Sequence, residues 1–95
     1  MYLTIAGANH YRGIESIKTG QTLVLKKDPE NLYDDESIRV TSETGVLYGY
    51  VANSVHTVAR GTHSAGHLLH YFKDKAKCRV MFVIGDKAIA ELIQE

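Results

Sequence analysis

Cysteine and proline each occur once in this 95-residue chain, at Cys78 and Pro29. A lone cysteine excludes an internal disulfide and fits a reducing, cytoplasmic setting. No apolar run approaches the roughly 20 residues a membrane helix needs, so no membrane partner is expected. The opening MYLTIAGANHYRG has neither the basic start nor the long apolar stretch of a secretory leader. Neither sign of charge prevails: lysine plus arginine is 11 and aspartate plus glutamate is 11. That balance argues against a globally basic nucleic-acid binder and leaves room only for short, local contacts. Repeats, low-complexity linkers and composition breaks are also missing. A single domain over residues 1–95 follows, with one compact core supplying most of its stability.

Signatures of covalent and metal chemistry are equally scarce. The sequence contains no G-x-S-x-G elbow, no glycine-rich phosphate loop and no C-x-x-C pair. Cys78 lies among apolar neighbours and reads as a small core residue rather than a nucleophile. Neither enzymatic activity nor a cofactor is expected.

What is present is strand patterning. Period-two apolar alternation predicts strands over residues 3–8, 21–27, 37–42, 46–52, 78–84 and 88–93. In the fifth, Cys78, Val80, Phe82 and Ile84 are expected to face inward. GIESIKTG reads as one helical turn closed by Gly20, and Thr44-Gly45 as a hairpin turn. Between the fourth and fifth strands, NSVHTVAR reads as a helix capped by Asn53 or Ser54, with Val55, Val58 and Ala59 on one face. SAGHLLHYF restarts it with Leu68, Leu69 and Phe72. The expected fold is mainly β: an OB-like barrel of about six strands, with one or two short helices between strands 4 and 5.

Three constellations carry chemistry. Tyr11, Tyr33 and Tyr50 lie at strand ends or in loops, where ring faces stack on bases and hydroxyls bond sugars or phosphates. The same tyrosines are also of the kind that closes a small barrel. Asn9 and His10 add polar groups beside the first. The stretch KKDPENLYDDESIRV concentrates five acids, Asp28, Glu30, Asp34, Asp35 and Glu36, around Tyr33. It lacks an EF-hand frame, and neighbouring Asp34 and Asp35 do not converge on one bond in extended chain. Finally, His63, His67 and His70 are spaced for one helix face, with His56 upstream. Three such imidazoles are a possible zinc or nickel site, but H-E-x-x-H and an orienting acid are missing. Exposed helix histidines are the plainer reading. The basic cluster KDKAKCR (Lys73, Lys75, Lys77, Arg79) reads as a solvated strand entrance.

LVLKKDPENLYDDESIRV followed by TGVLYGYVANS resembles the HIRAN domain family. The resemblance lies in Pro29, Asn31, Tyr33 and Asp34, then Ile38 and Val40, then Gly49 and Tyr50. AGANHYRGI resembles the family's opening strand up to Tyr11 and Gly13. Residues 3–53 carry it closely and the remainder loosely. It implies a modified OB-like barrel that binds short single-stranded DNA and captures a free 3′-OH end. It implies that Tyr33 stacks on the terminal base or sugar, that Asp34 accepts from the 3′-hydroxyl, and that Asn31 holds the loop or the nucleotide edge. A family arginine is Asn9 here, the aromatic after it is His10, and a family histidine is Tyr50. Losing an arginine removes a phosphate contact, for which His10 and Arg12 are the nearby replacements. The alternatives are a protein-interaction or assembly module that has lost the DNA site, acting through a protein partner, and a histidine-based metal-binding protein.

Overall fold

The computed structural model describes residues 1–93. Six strands form it: β1 (Tyr2–Ala6), β2 (Thr22–Lys27), β3 (Ile38–Thr41), β4 (Leu47–Val51), β5 (Lys75–Ile84) and β6 (Lys87–Ile93). One short helix, α1 (Ala65–Leu68), lies between β4 and β5. The strands close into an antiparallel barrel in the order β1-β4-β3-β2-β5-β6. Closure leaves no open sheet edge to manage. No helix among the described residues is long and apolar enough to cross a membrane, which says nothing of crossing by strands.

Alternation builds the interior. Leu23 and Leu25 of β2, Ile38 and Val40 of β3, and Ala76, Cys78 and Val80 of β5 are all buried. β1 departs from alternation, because Thr4 is buried between Leu3 and Ile5. The segment after β4 covers it: Thr4 Oγ1 accepts from Ala59 N at 3.1 Å and shares a hydrogen bond with Thr62 Oγ1 at 2.8 Å. A buried hydroxyl with these partners escapes the cost of an unmet polar group. β1 ends at Ala6 because Gly7 turns into the left-handed region, φ 77°.

Three further readings need correction. Residues 53–60 are not a helix; they form hydrogen-bonded turns. Ser54 Oγ accepts from His56 N, and Thr57 Oγ1 donates to Ser54 O, so side chains compete for the backbone groups a helix would use. Val55, expected on a buried face, is 90% exposed. The inward alternation of β5 also stops at Val80. The register with β6 slips between Val80 and Phe82, Met81 being the extra residue, and Phe82 and Ile84 are exposed on a hairpin that outruns the core. β5 begins earlier than expected, at Lys75, and KDKAKCR is therefore largely strand rather than strand entrance.

Gly49 permits the tight pairing of β1 with β4. A Cβ there would lie 2.6 Å from the Ala6 carbonyl oxygen. The close approach is made by the chain's own β1, through Ala6 and Ile5.

Candidate nucleic-acid interface

The turn after β1, the acidic loop and the end of β4 meet around an open cleft of about 820 Å³. Asn9, His10, Tyr11, Asn31, Tyr33, Asp34 and Tyr50 all line it.

The acidic loop is organised by Asn31. Its Oδ1 accepts from Tyr33 N at 2.9 Å and Asp34 N at 3.2 Å, and its Nδ2 donates to Asp28 Oδ2 at 3.3 Å. Asparagine supplies the donor and the acceptor that such a local turn needs. Asp28 N to Ser37 O (2.9 Å) and Ser37 N to Asp34 O (3.1 Å) tie the far side of the loop. Folding the chain back this way leaves Tyr33 with 96% of its surface exposed at the cleft rim.

Asp34 is partly buried and tightly oriented. Its Oδ1 accepts from Glu36 N at 2.9 Å and its Oδ2 from Asn53 Nδ2 at 3.0 Å. A carboxylate offers about four lone-pair positions. Two are filled within the chain, and among the described residues no other donor takes the rest of this cleft-lining carboxylate. Asn53 reaches further: Nδ2 also donates to Glu36 Oε1 at 3.1 Å, and Oδ1 accepts from Gly66 N at 2.9 Å. One amide therefore joins the acidic loop, the end of β4 and α1.

Tyr11 and Tyr50 make another part of the lining aromatic. Tyr11 and Tyr50 rings lie 6.0 Å apart, tilted by 56°. Burial, followed by the neighbouring Tyr11, holds the Tyr50 hydroxyl above its usual range, so it stays a neutral donor and acceptor. Asn9 Oδ1 is spent within its own turn, accepting from Ile14 N at 2.9 Å.

A profile of the HIRAN domain matches residues 1–85. The chain belongs to the HIRAN domain family. This HIRAN domain shares its fold with the crystal structure of the HIRAN domain of human HLTF, with a TM-score of 0.68 at 16% identity. The superposition covers 97% of this chain and 71% of that one. A comparison with curated proteins finds no match. Family membership supports nucleic-acid binding as the broad role of this HIRAN domain.

Arg12, expected beside His10, is exposed and does not line the cleft, although its neighbours Asn9, His10 and Tyr11 do. Asn53 was missed as a site residue, because a helix-cap reading accounted for it. Nothing in the spacing relates it to Asp34, which lies 19 residues earlier. Asp86 and Lys87, brought to the cleft by the β5–β6 turn, were missed for the same reason of distance along the chain.

The histidines do not share one helix face. His63 precedes α1 and pairs with Leu3 as an isolated bridge. Its ring stacks on His67 at 4.5 Å, and His67 lies 5.2 Å from Tyr71. Ser64 caps α1, accepting from His67 N at 3.2 Å. Among the described residues, no group of three His, Cys, Asp or Glu stands ready to hold a metal ion.

Proposed function

We propose that this domain is a non-catalytic module that binds a short stretch of single-stranded DNA by its free 3′-hydroxyl end. The observation that carries the reading is the Asp34 carboxylate. It faces a cleft, is fixed by two internal donors, and keeps acceptor positions open beside exposed Tyr33. A carboxylate accepts strongly from a hydroxyl and repels a phosphate at the same place. Tyr33 stacks on the terminal base or sugar, and the Tyr11–Tyr50 pair receives another part of the end nucleotide. Asn31 acts by holding the loop, its amide already engaged there. His10 supplies a polar contact at the mouth. A reducing, cytoplasmic setting belongs to the same reading and is supported by the buried lone thiol of Cys78.

Binding to a linear single strand, a circular single strand of the same sequence and a blunt duplex tests this reading. The linear strand should bind tightest, since it alone offers an unpaired end. Equal affinity for the linear and circular strands would remove end recognition.

A second reading, an assembly module with a protein partner, is favoured by one feature. Phe82 and Ile84 are 48% and 61% exposed at the projecting β5–β6 hairpin. Failure of all three DNAs to bind would favour it.

A further inference from the structure

The pairing registers place Tyr50, Arg39, Lys26 and Lys75 in one row across four neighbouring strands. Tyr50 pairs with Arg39, Arg39 with Lys26, and Lys26 with Lys75. Directly paired residues of antiparallel strands point to the same face. The adjacent row, Gly49, Val40, Leu25 and Ala76, is in register and wholly buried. The first row therefore points outward. It starts at a tyrosine of the cleft and continues as three successive cations.

Such a row works against folding, because like charges directly opposite one another on a sheet repel. Asp74 offsets part of it, being held down by Lys26 first and by Lys75 at longer range, but one carboxylate cannot neutralise three cations. Lys26 has Asp74 at 2.6 Å, but Arg39 and Lys75 have no ion-pair partner among the described residues. The Nε of Arg39 is shielded from water and lacks any hydrogen-bond partner. Arg39 as a whole is half-buried, so it can meet an external acceptor only through the rest of its guanidinium.

We infer that the phosphodiester backbone leading to the captured end runs over this row, from Tyr50 past Arg39 and Lys26 to Lys75. The inference rests on the end-binding reading of the cleft and extends it to the rest of the strand. Three inter-strand spacings of roughly 4.8 Å give a path of roughly 14 Å. At roughly 3.4 Å per stacked nucleotide, that is about four nucleotides. Phosphate is the matching chemistry: the row offers cations, and its head lies in the cleft. The path reconciles a neutral chain with nucleic-acid binding, since the positive charge is aligned rather than abundant.

The test titrates fluorescent 3′-hydroxyl single strands of 3 and 12 nucleotides against the wild-type chain and two doubly substituted variants, across a salt series. One variant is Lys26→Gln with Lys75→Gln; the control, Lys18→Gln with Arg60→Gln, removes the same charge elsewhere on the exposed surface. Thermal melts establish that each variant folds. The longer strand should bind wild type about tenfold tighter than the trimer. The row variant should lose most of that gain, and its log–log salt slope should fall by about 1.4, at roughly 0.7 for each cation removed. Trimer affinity should fall less than that of the longer strand, since the trimer reaches no further than Lys26, and the control should keep the length gain. Equal losses in the two variants, or a wild type that binds both lengths alike, overturns the path and leaves the end site standing. If wild type binds neither strand, the end site falls and the path with it.

Discussion

Asn53 Nδ2 donates to Asp34 Oδ2 at 3.0 Å, across 19 residues of sequence. This bond links the end of β4 to the acidic loop and aims the carboxylate at the cleft. Asn53→Ala should leave the barrel folded and weaken binding of a 3′-hydroxyl strand. Hydrogen bonds to charged groups contribute about 1.5–3 kcal/mol, so a loss of roughly tenfold or more is expected. Fluorescence anisotropy checks it; unchanged affinity would mean that Asp34 needs no such support.

Tyr33 separates binding from stability. Its ring is 96% exposed, so Tyr33→Ala should change unfolding free energy by less than about 0.5 kcal/mol. The same change should weaken strand binding by about 1–3 kcal/mol, the scale of one base–aromatic stack. Urea denaturation and anisotropy on the same preparation measure both effects. Large destabilisation with intact binding would reverse the assignment.

Gly49→Ala should do the opposite, striking the fold first. The new methyl group would sit 2.6 Å from Ala6 O, forcing β1 away from β4. Overpacking of this kind costs about 1–3 kcal/mol. In a domain this small, each kcal/mol lowers the melting temperature by roughly 4–8 °C. An unchanged melting temperature would show that the two strands have slack.

Burial pushes the Cys78 thiol from its ordinary 9.0 up to about 12. Between those values the unfolded chain releases the proton and the folded chain keeps it. The unfolded state then binds fewer protons, so stability falls as pH rises from 9 toward 12, by about 1.4 kcal/mol per pH unit. Cys78→Ala removes this contribution. The stability difference between wild type and Cys78→Ala, followed by urea denaturation through that range, should move against wild type as pH rises. A pH-independent difference would contradict the burial argument.

The strands were legible because alternation reports directly on a two-sided sheet, and Leu23, Leu25, Ile38 and Val40 face inward as their spacing predicts. The last strand was read correctly from AIAELI through Ile93, while residues 94 and 95 lie outside the described structure. Periodicity failed where other forces set the conformation. Val55 and Val58 mimic a helix stripe, but Ser54 and Thr57 satisfy the backbone locally and a turn results. Phe82 and Ile84 continue an inward phase that the extra residue at Met81 breaks. At the site, Tyr33 stood out as one of three tyrosines at strand ends and loops, and Asp34 and Asn31 only through the resemblance of their loop to the HIRAN family. Asn53 and the Tyr50–Arg39–Lys26–Lys75 row did not, because their relation exists only once strands distant in sequence are in register.

The central claim is that Asp34 accepts from a 3′-hydroxyl, and the most direct measurement compares strands ending in 3′-hydroxyl with strands ending in 3′-phosphate. Wild type should prefer the hydroxyl, because a terminal phosphate brings two negative groups together at Asp34. Asp34→Asn should weaken hydroxyl binding, relieve the repulsion and narrow the difference between the two ends. Equal affinity of wild type for both ends, or a preference that survives Asp34→Asn unchanged, would contradict the account.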